Sequence, residues 1–157
     1  MKKGRFLGID YGTKRIGLAI SDENGTLAFP KEILPNNTDT ITRLGDIMHK
    51  ENIGALVIGE SVDFSGKLNP LSEKIEIFIT ELKEKFGLPI YKQKEFLTSV
   101  EARKSKNNKH TLTQSQAHSR TKQKRAAPAD AGAAALILQR YLDKEAKTNS
   151  DKSNNIV

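Results

Sequence analysis

The stretch Gly8-Ile9-Asp10-Tyr11-Gly12-Thr13-Lys14-Arg15-Ile16-Gly17-Leu18-Ala19-Ile20-Ser21-Asp22 decides how the rest of the chain reads. An apolar segment, Phe6, Leu7 and Ile9, ends on a carboxylate, Asp10. A glycine-bearing turn follows, and then Ile16, Leu18 and Ile20 alternate with Gly17 and Ala19. Period-two alternation marks a strand with one buried face, so the stretch predicts two antiparallel strands. A carboxylate at the end of a central strand lies at the floor of a cleft, where it can hold a metal. Glycines beside it let a polyanion come close to the backbone.

Working outward, Asn24-Gly25 is a hairpin turn signal that leads to a third strand over Leu27 to Leu34. Pro30 inside that strand predicts an edge position or a bulge. Asn37, Thr38 and Asp39 offer N-caps to a helix that ends near His49, with Ile41, Leu44, Ile47 and Met48 as its apolar face. Ala55-Leu56-Val57-Ile58-Gly59 is the unbroken apolar run of a parallel strand buried on both faces, ending at Glu60. A loop containing Gly66 precedes a helix from about Pro70 to Phe86, stopped by Gly87. Leu88 to Tyr91 reads as a short strand with Glu95 following it. Thr98 to Lys104 reads as a short helix with a Thr98–Glu101 capping box.

Residues 105–126 lack hydrophobic periodicity, and the stretch 104–126 is expected to be a mobile basic segment. A last helix begins near Ala127, with Ala134, Ile137, Leu138 and Tyr141 as its packed face. Residues 144–157 are expected to form a disordered polar tail, which leaves 1–143 as one domain. The order of elements predicts an α/β fold: a mixed sheet of three antiparallel strands plus two parallel strands, flanked by helices.

The chain has 157 residues, no cysteine, 36% hydrophobic residues and a mean hydropathy of -0.54. The length suits one core. Without cysteine, a disulfide framework and a thiolate zinc site are both excluded. No run approaches the ~18 apolar residues of a membrane span. Only four apolar-region residues, Phe6 to Ile9, follow Lys2, Lys3 and Arg5, too few for a signal peptide. A cytoplasmic protein with no membrane partner is therefore expected. The net charge is +7 and the isoelectric point about 9.6, which favours a polyanionic partner, nucleic acid first. Between Arg103 and Ala129 stand eight Lys or Arg and no acid, so the excess is confined to one segment. Arg103, Lys122, Lys124 and Arg125 in it are candidate contacts to a phosphate backbone. Lys14 and Arg15 could hold a phosphate in the turn after Asp10, or simply solvate a hairpin.

Three carboxylates fall where they can converge. Asp10 ends the first strand, Glu95 follows the last, and Asp130 lies in the first turn of the final helix. Strand C-terminal ends form the ligand crevice of open α/β sheets. Clustered carboxylates repel one another unless they share cations. Oxygen donors select Mg²⁺ or Mn²⁺ over zinc, and two such ions suit phosphodiester cleavage. Taken singly, Asp10 could serve its turn, Glu95 could be a solvated loop residue, and Asp130 could serve the helix dipole. His110 and His118, eight apart with no cysteine nearby, do not read as metal ligands.

At this point the chain resembles the YqgF family, also called RuvX: Holliday-junction-resolvase-like proteins provisionally assigned as pre-16S rRNA nucleases. The likeness is carried by Gly8 to Gly17, by Val57-Ile58-Gly59, by Leu97-Thr98-Ser99-Val100-Glu101-Ala102-Arg103 and by Asp130 to Leu138. It spans residues 5–142. The resemblance implies a ribonuclease H-like fold and metal-dependent cleavage of nucleic acid, with Asp10, Glu95 and Asp130 as the catalytic and metal-holding residues. The family pattern has Asp-Glu-Arg where this chain has Lys94-Glu95-Phe96, and Leu-Pro where it has Glu60-Ser61. A lysine beside Glu95 could pair with it and weaken metal binding. Related RuvC resolvases carry a catalytic glutamate on a strand at about the place of Glu60, which makes Glu60 a possible extra carboxylate.

The expected function is a Mg²⁺- or Mn²⁺-dependent endonuclease on structured nucleic acid. RNA is favoured, by resemblance the 5′ end of pre-16S rRNA, and the protein is expected as a monomer or weak homodimer. The alternatives are a nucleic-acid-binding protein with little or no catalysis and a Holliday-junction resolvase. The Asp10 turn also resembles the phosphate hairpin of actin and sugar-kinase ATPases, but those need a second domain for which 157 residues leave no room.

Overall fold

The sheet is organised around the stretch that opens the chain. In the computed structural model, which describes residues 4–62, 70–96 and 127–154, β1 (Arg5–Tyr11) and β2 (Arg15–Ser21) pair antiparallel with Asp10 opposite Gly17. β3 (Ala28–Pro35) continues the antiparallel half. After α1 (Thr40–Lys50), β4 (Ile53–Val62) lies parallel to β1 on its other side. After α2 (Pro70–Phe86), β5 (Ile90–Phe96) lies parallel to β4. The strand order is β3-β2-β1-β4-β5, and a long helix, α3 (Ala127–Asn154), completes the chain. This is the expected α/β architecture of three antiparallel and two parallel strands.

Side chains alternate between the faces of a strand, so one register fixes both layers. Leu7, Ile9, Ile16, Leu18, Leu56 and Ile58 point to the face covered by α1 and α2. There they meet Ile41 and Leu44 of α1 and Ile75, Phe78, Ile79 and Leu82 of α2. Each such fully buried aliphatic side chain contributes about 1.5–3 kcal/mol of transfer free energy. The other face is covered by α3, whose Ala134, Ile137, Leu138, Tyr141 and Leu142 pack on Ala19 and Val57. This face is built of small residues so that the helix can sit close. A Cβ at Gly8 would lie 2.7 Å from Leu138 Cβ and 3.0 Å from the Ala134 carbonyl oxygen, and one at Gly59 would lie 2.6 Å from Ile137 Cδ1.

Pro30 sits as the sequence predicts, and several other details differ from the expectation. β3 is an edge strand, and its register with β2 shifts between Leu18 and Ala19, so Pro30 has both an edge and a bulge to accommodate it. Asp39 is the N-cap of α1 but makes no side-chain cap; the turn is held instead by Thr40, whose hydroxyl accepts from the Asn37 N–H and donates to the Pro35 carbonyl. β5 starts later and runs further than Leu88 to Tyr91, so Glu95 lies within a strand rather than after one. Its polar sequence hides it because it is an edge strand, where lysines are common and guard against further pairing. The helix expected over Thr98 to Lys104 and the basic segment 104–126 lie outside the described residues.

Beyond residue 143 the chain is helical through Asn154, where a disordered tail was expected. No Gly or Pro interrupts it after Gly132. Thr148, Ser150 and Ser153 turn their hydroxyls back onto the carbonyls of Lys144, Ala146 and Asn149, so these residues do not break the turn.

Candidate active site

Asp10 belongs to the α3 face. Its strand neighbours Leu7 and Ile9 enter the α1/α2 core, and Gly8 lies against α3, so the next even position, Asp10, projects toward α3 as well. The helix runs antiparallel to β1. The ring of Tyr141 lies 5.8 Å from that of Phe6, while Leu138 and Ala134 stand over Gly8. From Ala134, four more residues of helix, about 6 Å, lead to Asp130. From Gly8, two more residues of strand, about 7 Å, lead to Asp10. The backbone of Asp130, in the first turn of α3, therefore reaches the end of the sheet that Asp10 occupies.

Glu95 arrives at the same end from β5. Tyr91 stacks on Tyr141 of α3 with ring centroids 5.2 Å apart, which fixes the odd positions of β5 on the α3 face. Glu95, four residues on, shares that face and pairs in register with Ser61 of β4. Arg140 of α3 donates to Glu95 Oε2 through Nη1. The Glu95 side chain is 23% exposed and that of Arg140 46%, so solvent screens the pair and it contributes at most about 1 kcal/mol. Arg140 was not legible from sequence. It stands beside the packed stripe of α3, where a charge reads as a solvated face.

The opposite face explains two departures from the family pattern. Lys92 of β5 pairs with Glu76 of α2, so the even positions of β5 face α2. Lys94 is the next of these, and its register partner on β4 is Glu60. Glu60 follows Leu56 and Ile58 at the same parity, toward the α1/α2 core. Glu60 and Lys94 thus neighbour each other on one face, while Asp10 and Glu95 share the other. Phe96 pairs with Val62 through its backbone.

Arg15 sits at the start of β2 with the parity of Gly17 and Ala19, which places it on the α3 face beside the Asp10 end of β1. Lys14 is exposed in the turn between the two strands. That turn is tied to the end of β3 by Asn36, which donates its side-chain amide to the Gly12 carbonyl and its N–H to the Lys14 carbonyl. Arg103, Lys122, Lys124 and Arg125 lie outside the described residues. Among the described residues no group of three or more His, Cys, Asp or Glu is placed to hold a metal. The donor chemistry is nonetheless that of a hard divalent cation: Asp10 and Glu95 carry carboxylate oxygens on one face and toward one sheet end.

This architecture has a family. The family model described as "RuvX: Holliday junction resolvase" matches residues 4–144. The chain belongs to the RuvX family. A RuvX relative from Thermoanaerobacter pseudethanolicus, provisionally named a pre-16S rRNA nuclease, is 36% identical over 143 residues, covering 90% of this chain and 97% of the relative. One of the same name from Oenococcus oeni is 37% identical over 147 residues, covering 91% and 96%. Among solved structures, T. thermophilus RuvC in complex with a Holliday junction substrate superposes with a TM-score of 0.50 at 14% identity, covering 90% of this chain and 95% of that one. That likeness places RuvX in the ribonuclease H-like fold class. No helix among the described residues is long and apolar enough to cross a membrane.

Proposed function

We propose that this RuvX chain is a metal-dependent endonuclease that cleaves phosphodiester bonds in structured RNA, most directly the 5′ end of pre-16S rRNA. The observation that supports the reading is that Asp10 and Glu95 lie on one face of the sheet, toward the strand ends that the first turn of α3 reaches. Asp10, Glu95 and Asp130 would hold Mg²⁺ or Mn²⁺. When bound, such ions supply Lewis-acid polarisation of a phosphoryl oxygen and neutralise charge that develops in the transition state.

The chain's own residues do the rest. Arg15 and Lys14 bind the phosphate nearest the cut, and a guanidinium suits its planar recognition. Arg103, Lys122, Lys124 and Arg125 track the backbone without reading sequence. Gly12 and Gly17, beside Asp10 in the turn and on the paired strand, let a sugar-phosphate chain come close to the sheet end. The net charge of +7 draws the polyanion in. The protein acts in the cytoplasm as a monomer or weak homodimer.

The substrate is tested by offering wild-type protein a labelled pre-16S rRNA 5′ leader and a four-way DNA junction side by side in Mn²⁺. Preferential cutting of the leader supports RNA processing. Preferential cutting of the junction, in paired symmetric nicks, replaces it with resolution. Binding of either without cutting replaces it with a binding module.

A further inference from the structure

Among the described residues at the candidate site, Arg140 is left without a task by the nuclease reading. It comes from α3, and its neighbour Tyr141 is buried between Phe6 and Tyr91. That packing fixes the helix against β1 and β5, so Arg140 stands beside Glu95 by construction of the fold. Among the described residues it makes one donation, from Nη1 to Glu95 Oε2. A guanidinium has five N–H donors in a planar fork. Nη2 and Nε of Arg140 have no partner among the described residues, and nearly half of its side-chain surface faces solvent, open to an anion.

A cation on a candidate metal ligand has two opposite consequences. It competes with a divalent ion for Glu95, because both neutralise the same carboxylate and repel each other. It also stands one side chain away from where the substrate phosphate must lie. The weakness of a solvent-screened pair makes the exchange between these partners easy.

We propose that Arg140 is a positioning residue that neutralises Glu95 in the metal-free protein, yields it to the divalent cation, and then turns its guanidinium to the phosphate of the bound nucleic acid. This rests on the nuclease reading above. It adds a role for a residue on α3, outside the three carboxylates and the basic segment. It also explains how a site can carry clustered acids without metal and remain folded.

The experiment is Mn²⁺ titration by calorimetry without nucleic acid, alongside binding of a fluorescent pre-16S leader RNA in Ca²⁺. Wild type, Asp10→Asn, Arg140→Ala and Arg140→Lys are compared on the full chain. With its competitor removed, Arg140→Ala binds Mn²⁺ about threefold tighter, as loss of a weak screened pair allows. The same variant binds the RNA about tenfold more weakly, the loss of one charge-assisted phosphate contact. Arg140→Lys, which keeps the charge, stays within about twofold of wild type for Mn²⁺. Weaker or unchanged Mn²⁺ binding in Arg140→Ala overturns the exchange and leaves Arg140 a structural brace. Unchanged RNA binding overturns the phosphate role. If wild type binds no Mn²⁺, or binds it equally well as Asp10→Asn, the metal reading itself fails, which is a separate result from failure at Arg140.

Discussion

Glu60 and Lys94 are register partners on β4 and β5, and both stand on the face opposite to Asp10 and Glu95. A one-residue offset along a strand reverses the side to which a side chain points. The lysine beside Glu95 in sequence is therefore not beside it in space. Nor does Glu60, at a strand end that looks suitable, join the α3-face carboxylates. Glu60→Gln and Lys94→Ala are expected to cleave leader RNA within about twofold of wild type, whereas Glu95→Gln loses two or more orders of magnitude, on the order of a lost catalytic group. A large loss in Glu60→Gln, with fold intact by circular dichroism, would contradict the face assignment.

The phosphate role of Arg15 has a signature in salt. Arg15→Ala should weaken binding of leader RNA and reduce the slope of log affinity against log salt by about 1. The same change should act alike on RNAs of different sequence, because a phosphate contact carries no sequence information. Unchanged affinity and slope would return Arg15 to hairpin solvation.

Close packing of α3 is what brings its first turn to the Asp10 end of the sheet, and Gly8 is where it is tightest. A methyl group there meets the Leu138 Cβ and the Ala134 carbonyl, neither of which can move without the helix. Gly8→Ala is expected to destabilise by about 1–3 kcal/mol, read as a lowered Tm, through overpacking. Gly59→Ala meets chiefly the Ile137 Cδ1, the free end of a flexible side chain, and should cost less. Equal losses at the two positions would mean that α3 is free to shift.

Acid stability should report the turn that leads into β3. The Thr26 hydroxyl first, and then the N–H groups of Leu27 and Thr26, donate to the Asp22 carboxylate and hold its pKa below the ordinary 3.8. A carboxyl with a depressed folded pKa stabilises the fold above its unfolded value, and that stability is lost as pH falls through the folded value. Asp22→Asn should therefore be less stable than wild type at neutral pH, and its Tm should fall less steeply below about pH 4. The slope that remains belongs in part to Glu51, held low chiefly by a hydrogen bond from Lys31. Parallel acid limbs for wild type and variant would contradict the assignment.

The first 35 residues were legible because their alternation is strict and their turn residues are specific: β2 runs from Arg15 to Ser21 as its pattern predicts. α2 was equally plain, since its apolar positions recur at helical spacing and Gly87, at φ 63°, ends it. The far half of β5 is hidden in the sequence because Lys92 to Glu95 are polar on an edge strand, where pairing rather than burial defines the strand. The end of α3 was missed for the opposite reason. Its last turns bury nothing, so no hydrophobic period marks them. The place of Asp10 near the end of an apolar central strand is legible in the sequence. Which carboxylates share a face is not, because that depends on the parity of β5, fixed by the Tyr91–Tyr141 stack and the Lys92–Glu76 pair. The Arg140–Glu95 pair joins residues 45 apart, and no local pattern announces it.

The central claim is that Asp10, Glu95 and Asp130 together cleave RNA with a divalent cation. It is tested most directly by following cleavage of end-labelled pre-16S leader with wild type and Asp10→Asn, each in Mn²⁺ and in EDTA. The account predicts cutting by wild type in Mn²⁺ alone, none in EDTA, and none by a folded Asp10→Asn that still binds the RNA. Cutting that persists in EDTA or in Asp10→Asn, or a wild type that binds the leader in Mn²⁺ and leaves it whole, would contradict it.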